Sequence, residues 1–463
     1  MEGWEPGYRS RRGILTKVFT PELVDAAVAK HGRRGELRRR PLPARLVVYF
    51  VLALCLFARE SYEEVISVLT SGIPGSRALA RVNRSSLCRA RIRLGEEVLE
   101  TVFRQVAGPL AVAETPGAWW RGLRLLALDG TQFDVPDSVS NGDTFDVPST
   151  GGTPFGFPQV RAAVLAAIGT HAVLDAGLGG YRDGERRVGH PLASSTGPGD
   201  LVIADRGFWS VEFVHAFTAS GAHLLVRLQS NHLGTTQSEL PDGSRGSLMR
   251  PGKDARLRAA GEGRVLPTET TYRVITFTKD NKKVVHLGTS LLDTEHYPAD
   301  ELIALYRQRW EIELTFDEIK NHLGPGGPLR SRTPEAVRQE LWALLAAHQA
   351  VRRFAHAAAC RPSTSPPTAS RPVPGWKEAA REVRSRPLPT RSGRDWPRAI
   401  KKPMRSPILR ARSGRTTVER GRWVNSPTKK VKKHRGAGRP VPRTQPPSPP
   451  ERRSEPVVVN PAP

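Results

Sequence analysis

Cysteine is scarce in this chain, and its spacing excludes two common ways of stabilising a fold. The 463 residues contain three cysteines, Cys55, Cys88 and Cys360, and no CxxC pair occurs. Disulfide frameworks and structural zinc sites both depend on closely patterned cysteines. The sequence therefore predicts a fold that uses neither.

Long apolar segments are also missing. The longest apolar run, Leu46 to Phe57, is bounded by Arg45 and Arg59. It is shorter than the about 20 residues that a membrane-spanning helix needs, so we predict a buried core helix there. The first residues contain no charged segment followed by an apolar one. We therefore expect a cytoplasmic protein rather than an exported one.

Acidic residues are too few to balance the basic ones. The chain has 45 Asp and Glu against 71 Lys and Arg, a formal net charge of +26, which favours a polyanionic partner such as DNA or RNA. Residues 361–463 alone contain 26 basic residues, 6 acidic residues and 20 of the 40 prolines. Such a segment buries too little apolar surface to offset its ordering entropy. We predict that the basic tail, 358–463, is disordered and adds non-specific DNA affinity.

Residues 1–118 have the pattern of a helical region. The apolar residues from Phe19 to Val28 follow helical spacing, and Thr20 is a candidate N-cap. Arginines form two clusters, one within 33–40 and one within 89–93. These arginines could be a solvated surface or could contact phosphates, and the sequence leaves both interpretations open. We predict a helical DNA-binding domain over residues 1–118.

From Leu123 the pattern changes to short apolar strands bounded by Gly, Pro, Asp or Asn. The predicted strands are Leu123–Asp129, Val160–Ile168, His171–Leu178, Leu201–Asp205 and His223–Leu228. With a helix at Val211–Ser220, they predict an α/β fold with a mixed sheet covered by helices. The polar stretch 232–297 contains one strand pair, Tyr272–Thr278 and Lys283–Thr289, and is predicted to be a β insertion. Gly177 to Gly184 is predicted to be a flexible loop, because no Gly-Lys-Ser/Thr follows it.

Two aspartates stand where predicted strands end. Asp129 follows the apolar run Leu-Leu-Ala-Leu, and Asp205 follows Leu-Val-Ile-Ala. Catalytic groups gather at the carboxyl ends of strands in open α/β sheets. Either aspartate alone could be a turn-forming residue or an ion-pair partner. Their equivalent settings favour a shared catalytic role.

The third acidic candidate lies on a helix predicted over residues 298–322. At about 100° per residue, four polar positions fall within a wedge of roughly 60° on one helix face: Tyr306, Arg309, Glu313 and Lys320. Glu311 points away from this wedge, and Asp317 is the nearest rival carboxylate. The alternative is a surface helix with charge pairs four residues apart.

Three carboxylates without a histidine or cysteine cluster favour Mg²⁺ or Mn²⁺ over zinc. Two such ions about 4 Å apart can activate a water or a 3′-hydroxyl and stabilise the leaving oxygen. Asp129, Asp205 and Glu313 are therefore predicted to be catalytic metal ligands for phosphodiester chemistry. Cationic and phenolic side chains on the same wedge could contact phosphates or stack on bases.

The spacing of these residues resembles a known family. The run from Tyr306 to Lys320 fits the Y-(2)-R-(3)-E-(6)-K signature of bacterial DDE transposases of the insertion-element-four family. The segments Leu128–Thr131 and Ala204–Phe208 resemble that family's two aspartate motifs. The resemblance covers roughly residues 10–357, and four spaced positions match together in the signature.

This resemblance implies a fold, an activity and a set of site residues. The fold would be an RNase H-like catalytic domain over residues 119–357, with the β insertion at 232–297. The activity would be cleavage at transposon terminal inverted repeats and strand transfer into target DNA, by a homodimer on paired ends. The implied metal ligands are Asp129, Asp205 and Glu313, and the implied contacts to the transposon end are Tyr306, Arg309 and Lys320.

Two alternatives to a transposase remain open. A stand-alone nuclease of the same fold would cleave DNA without joining strands. A degenerate transposase would bind DNA through its basic regions without cutting it. All three carboxylates stand at workable spacing, which argues against decay of the site.

Overall fold

A computed structural model of the chain describes residues 14–32, 42–70, 82–279 and 283–359. The first arginine cluster, at 33–40, lies outside these residues. So does the predicted disordered tail from Cys360 onward.

Helices precede the sheet, as the sequence predicts. Those within the described ranges are α1 Ile14–Val18, α2 Pro21–Lys30, α3 Ala44–Leu56, α4 Tyr62–Thr70, α5 Arg84–Leu94 and α6 Glu97–Val106. The predicted N-cap of α2 is confirmed, because the Leu23 amide donates to Thr20 Oγ1 over 3.3 Å. This bond satisfies one of the amides that a helix start leaves without a partner.

The apolar run predicted to be a core helix forms α3 and is buried. Every residue from Leu46 to Leu56 is at most 4% exposed. The Tyr49 hydroxyl donates to the Phe19 carbonyl over 2.7 Å, so its polar atom is satisfied inside the core. In the described part of the chain, no helix is long and apolar enough to cross a membrane.

The sheet contains a five-stranded core with mixed directions. Its strands are β2 Leu123–Asp134, β5 Gln159–Ala167, β6 Val173–Gly180, β7 Asp200–Ala204 and β8 His223–Leu228. Their order across the sheet is β6-β5-β2-β7-β8. The β2, β5 and β6 strands are antiparallel, whereas β7 and β8 run parallel to β2. This order and these directions are those of an RNase H-like fold, which confirms the predicted class.

Short elements connect these strands and cover the sheet. They are the edge strand β1 Trp119–Trp120, helix α7 Val139–Phe145, the hairpin β3 Ser149–Thr150 and β4 Thr153–Pro154, helix α8 Glu185–Gly189 and helix α9 Val211–Ala219. The predicted loop Gly177–Gly184 is partly wrong, because residues 177–180 belong to β6. A Cβ at Gly177 would lie 2.5 Å from the Val188 carbonyl oxygen, so glycine allows α8 to approach the strand.

The predicted β insertion extends the same sheet. It contains β9 Thr235–Glu239, β10 Arg245–Met249, helix α10 Lys253–Gly261, β11 Thr270–Thr278 and β12 Val284–Thr289. The pairing of β11 with β12 confirms the predicted strand pair, and β12 adds to the sheet antiparallel to β8. The sequence analysis missed β9, β10 and α10, whose polar residues lack clear periodicity.

The predicted helix at 298–322 is a series of helical turns with different winding. It comprises α11 Ala299–Tyr306, a 3₁₀ turn Arg307–Trp310, α12 Glu311–Asp317 and a π-helical turn Glu318–Leu323; the last helix is α13 Pro334–Ala359. Helix α13 packs against α3 and α6, and the Phe103 and Trp342 rings stack at 5.4 Å between centroids. A π turn contains more residues than an α turn, so it rotates the residues that follow away from ideal 100° spacing.

The two faces of the sheet are covered by different helices. On what we call the first face, Leu125 and Ala127 of β2 share a core with α3, α6, α12 and α13. On the second face, Leu126 and Leu128 share a core with α8 and α9. Because successive strand residues point to opposite faces, Asp129 belongs to the first face.

The second arginine cluster divides between the surface and the core. Arg89 and Arg93 are exposed, but Arg91 is 4% exposed. The Arg91 guanidinium donates to Gln339 Oε1 over 2.8 Å and to Ser331 Oγ over 3.0 Å. A buried cation needs such polar partners. Both surface interpretations are therefore wrong for Arg91, which joins α5 to the start of α13.

Candidate active site

Asp129 and Asp205 are neighbours across two parallel strands. Leu128 of β2 is paired with Ala204 of β7, so the aspartates come next in register, directly after β7 ends. The prediction that a strand also ends at Asp129 is wrong, because β2 continues to Asp134. Residue alternation assigns both aspartates to the first face of the sheet. Two carboxylates from distant parts of the chain thereby lie side by side on the first face, next to the end of β7.

Helix α12 covers this part of the first face and contributes Glu313. Ile312 and Phe316 anchor the helix in the first-face core, which leaves Glu313 at the rim with a 39% exposed side chain. Arg309, in the preceding turn, links helix and sheet. Its Nη1 donates to Asp129 Oδ2 over 2.7 Å, and its Nη2 lies 3.5 Å from Glu313 Oε1.

The electrostatic balance at Asp129 favours an added positive charge. Burial raises the pKa of the Asp129 carboxyl to about 6, even though Arg309 and the Gly130 amide lower it. The charges of Glu185 and Asp205 contribute to the same increase. Ionised Asp129 is therefore incompletely compensated by Arg309, and a further cation would stabilise it.

Tyr306 contacts the second aspartate. Its hydroxyl donates to Asp205 Oδ1 over 3.4 Å, a long hydrogen bond. Burial raises the pKa of Tyr306 above its ordinary value, and the Asp205 charge adds to this increase. The phenol is consequently neutral at physiological pH, and it can orient Asp205 as a donor.

Lys320 lies apart from the other predicted site residues. Its ammonium group is 5.1 Å from the centroid of the Phe133 ring, near the end of β2. Burial lowers the pKa of Lys320, and the charge of Asp134 opposes this decrease. Lys320 belongs to the π-helical turn Glu318–Leu323 and stands seven residues after Glu313, about two helical turns further along the axis. The structure thus brings five of the six predicted side chains together and places Lys320 beside Phe133, four residues after Asp129 in β2.

A fourth carboxylate, missed by the sequence analysis, approaches the aspartates from the second face. Glu185, the first residue of α8, accepts a 2.8 Å hydrogen bond from Arg161 of β5. An ideal Cβ at Gly130 would lie 2.8 Å from Glu185 Cγ, so this side chain packs against β2 beside Gly130. Glycines close behind both aspartates were the only signal in the sequence that another group passes there.

Comparison with known proteins identifies the family. The model of the family "Insertion element 4 transposase N-terminal" matches residues 9–104, and that of "Transposase DDE domain" matches residues 120–349. Transposase InsG for insertion sequence element IS4, from Escherichia coli (strain K12), is 32% identical over 351 residues. That alignment covers 74% of this chain and 77% of InsG. The chain belongs to the insertion element 4 family of DDE transposases.

More distant relatives of this transposase carry similar names. The putative transposase InsZ of Escherichia coli (strain K12) is 26% identical over 188 residues, which cover 40% of this chain and 61% of InsZ. The transposase for insertion sequence element IS231C of Bacillus thuringiensis subsp. berliner is 21% identical, over 43% of this chain and 49% of its own length. Among solved structures, a piggyBac transposase synaptic complex with hairpin DNA aligns with a TM-score of 0.43 at 12% identity, covering 80% of this chain and 78% of that one.

DDE transposases generally use divalent metal ions, and the acidic residues of this transposase suit such ions. All the donors are carboxylate oxygens, which Mg²⁺ and Mn²⁺ prefer. Within the four described ranges, no three acidic, histidine or cysteine side chains form a ready metal-binding group. The Arg309 guanidinium pairs with both Asp129 and Glu313.

The other acidic residues near Glu313, from Glu311 to Glu318, have structural contacts. Glu311 points away from the aspartates, and its Oε2 accepts a 2.7 Å hydrogen bond from the Gly169 amide. Asp317 accepts a 2.7 Å hydrogen bond from Asn321 at the surface. Glu318 is buried and pairs with Arg352 of α13. Glu311 and Glu318 therefore hold this helical segment to the rest of the protein, whereas Asp317 bonds within the segment.

Proposed function

We propose that this transposase cleaves DNA at transposon ends and transfers the strands into target DNA, with Asp129, Asp205 and Glu313 as its catalytic groups. The observation that carries the proposal is the pairing of β2 with β7, which aligns the two aspartates on the face that α12 covers. Two sheet carboxylates and one helix carboxylate make a suitable oxygen donor set for two Mg²⁺ or Mn²⁺ ions.

The proposed roles follow from where each side chain is attached. Asp129 and Asp205 would hold the metal ions from the rigid sheet, and Glu313 would hold them from the helix. Bound ions would supply activation of a water or a 3′-hydroxyl and stabilisation of the leaving oxygen. Arg309 balances Asp129 and Glu313 in the ion-free protein. Its planar guanidinium also suits phosphate oxygens, so we assign it to the transposon end.

Tyr306 and Lys320 complete the proposed DNA contacts. The Tyr306 hydroxyl keeps Asp205 oriented, and we assign the same side chain to the transposon end. Lys320 stands near Phe133 at the end of β2. Its charge would there contact a phosphate further along the DNA strand that Arg309 contacts. Together with Arg309, they would orient the DNA without reading its sequence.

The proposed domain organisation has three parts. We assign residues 1–118 to a helical DNA-binding domain, 119–357 to the catalytic domain with its insertion at 232–297, and 358–463 to the basic tail. The family matches at 9–104 and 120–349 support the first boundary, and the excess of basic residues supports DNA contact by the tail.

The proposed partners are the terminal inverted repeats of the element and its target DNA. We propose that a homodimer holds two ends together, because strand transfer of an element requires both ends in one complex. The protein would act in the cytoplasm at the bacterial nucleoid, where its DNA substrate lies. Analytical ultracentrifugation of the full chain with and without end DNA tests the dimer directly.

The site assignment is tested by strand cleavage and joining. Full-length protein is incubated with Mg²⁺ or Mn²⁺ and DNA flanked by the element's own ends. We expect Asp129→Asn, Asp205→Asn and Glu313→Gln each to lower the cleavage rate by a factor on the order of 10⁴, without additivity, since they act as one unit. DNA binding should be nearly unchanged.

Asp317→Asn is the matched control on the same helix. This carboxylate is the nearest rival to Glu313 and bonds only locally to Asn321 and His322, so we expect cleavage at the wild-type rate. Loss of cleavage in this variant with retention in Glu313→Gln would refute the helix register. Cleavage without joined products would favour a nuclease, and no cleavage by the wild-type protein would favour a DNA-binding protein only.

A further inference from the structure

We propose that Glu185 is a positioning residue of the metal site. Its carboxylate lies on the second face, beside Gly130 of β2 and near Gly207 just after β7. There it keeps a negative charge near Asp129 and Asp205 and strengthens their affinity for divalent cations. The inference rests on the proposed function, in which the two aspartates and Glu313 are the metal ligands.

The glycines of the two aspartate motifs leave room for this side chain. A Cβ at Gly130 would lie 2.8 Å from Glu185 Cγ, and a Cβ at Gly207 would lie 3.3 Å from Glu185 Oε2. Neither glycine has a positive φ, so backbone conformation does not require glycine at either position. One glycine follows Asp129 directly and the other stands two residues after Asp205. Both motifs therefore provide space for the same carboxylate.

Arg161 holds this carboxylate in one orientation. Its Nη1 donates to Glu185 Oε1 over 2.8 Å, and its Nη2 donates to the Tyr181 carbonyl over 3.1 Å. The Arg161 side chain is 14% exposed, so it is itself fixed by packing. With Oε1 engaged, Oε2 is the oxygen that faces Gly207 and the end of β7. Little ordering entropy remains to oppose this arrangement.

The charge of Glu185 reaches Asp129 despite its pairing with Arg161. An ideal Cβ at Gly130, the residue that follows Asp129, would lie 2.8 Å from Glu185 Cγ, 2.9 Å from its Cδ and 3.0 Å from its Oε1. A carboxylate this close to the aspartate favours a cation bound there, because the cation is attracted to both negative charges. Glu313 and Arg309 act on the aspartates from the first face, and Glu185 acts from the second.

The test measures Mn²⁺ binding to the full-length protein without DNA, by titration calorimetry. Glu185→Gln keeps the shape of the side chain and removes its charge; Glu185→Asp keeps the charge on a shorter side chain. We expect an affinity about tenfold lower for Gln and within about threefold of wild type for Asp, on the scale of one charge interaction of about 1.4 kcal/mol. In cleavage assays, the Mg²⁺ concentration at half-maximal rate should rise in Glu185→Gln, while the rate at saturating Mg²⁺ recovers.

A purely structural role for Glu185 predicts the opposite order of the two Mn²⁺ affinities, with Glu185→Gln closer to wild type than Glu185→Asp. Wild-type affinity in Glu185→Gln, or a larger loss in Glu185→Asp, would overturn the proposal, and the Asp variant decides alone if the Gln variant does not fold. Glu269→Gln, which alters a surface carboxylate paired with Arg250, is the matched control. Asp129→Asn separates the two hypotheses. If it binds Mn²⁺ like wild type, the proposed function fails; if it loses binding while Glu185→Gln does not, only this inference fails.

Gly130→Ala provides an independent measurement. The added Cβ would displace Glu185, so we expect weaker Mn²⁺ binding in the wild-type background. In a Glu185→Ala background the same change should cause no further loss, because the residue it displaces is gone. Equal losses in both backgrounds would contradict the role assigned to the glycine.

Discussion

The buried carboxylate of Glu318 provides a test of how the helix that carries Glu313 is fixed to the rest of the protein. Glu318 begins the π-helical turn five residues after Glu313 and is 7% exposed. Its Oε2 accepts hydrogen bonds from Arg352 Nε over 2.9 Å and His348 Nε2 over 3.0 Å. His171 Nδ1 lies 3.0 Å from its Oε1. One carboxylate thus joins the helix to α13 and to the turn between β5 and β6.

Glu318→Gln removes the charge and leaves the Arg352 cation buried. Burial lowers the pKa of Arg352 to about 9, so it remains charged at neutral pH. Burial also lowers the pKa of His348 to about 3, so this histidine does not add a charge. Breaking a buried ion pair on one side costs about 3–5 kcal/mol. Because the charge of Glu311 also acts on Arg352, we expect the lower half of this range.

The assay is thermal and urea unfolding of the full chain, followed by circular dichroism. At roughly 2 °C per kcal/mol, the thermal midpoint should fall by on the order of 6–8 °C. Glu262→Gln, which alters an exposed carboxylate paired with Arg264, should leave the midpoint unchanged. Combining Glu318→Gln with Arg352→Met should restore part of the loss, because no unpaired cation then remains. A fall below about 2 °C for Glu318→Gln, or full additivity in the double variant, would refute this reasoning.

Further predictions concern the metal, the DNA and a neighbouring carboxylate. Because burial raises the pKa of Asp129 to about 6, protons compete with the metal below that pH. The Mn²⁺ affinity measured by calorimetry should fall about tenfold for each pH unit below about 6. The Asp129→Asn variant should not show this pH dependence. The effect of Asp129 on folding stability has the opposite sign. Its raised pKa in the folded state stabilises the fold while the carboxyl is protonated, and this stabilisation is lost as the pH rises from 3.8 to about 6. Arg309→Ala and Lys320→Ala should each weaken binding of end DNA and reduce its salt slope by about one unit in filter-binding titrations. Glu311→Gln should lower stability by about 1 kcal/mol through its bond to the Gly169 amide, yet leave Mn²⁺ affinity unchanged; a change in affinity would place it in the site.

Local order in this protein could be predicted from sequence because it depends on near neighbours. A continuous apolar run too short to span a membrane indicated the buried helix over Leu46–Leu56, and the Thr20 cap formed where the sequence predicted it. Short apolar runs bounded by breakers indicated the core strands, and the order of these strands confirmed the RNase H-like class. The insertion strands β9 and β10 escaped prediction because their polar residues pair with other strands without burying an alternating apolar face.

For the candidate site, the sequence determined which residues were available and the tertiary structure decided which of them meet. Strand-end position and helical spacing singled out Asp129, Asp205 and Glu313, since both are properties of short segments. The approach of Glu185 from the second face, in contrast, depends on how α8 packs against β2 and β5. No periodicity could have shown that approach.

The second arginine cluster shows the same division between what the sequence determines and what packing decides. A run of arginines in sequence is compatible with a surface, and only the packing of α5 against the start of α13 decided that Arg91 is buried. Lys320 lies in a π-helical turn, and that turn begins at Glu318, which pairs with the buried Arg352. Spacing along the chain sets which contacts are possible. Long-range packing selects among them, because the free energy of burying a charge depends on partners that lie far away in sequence.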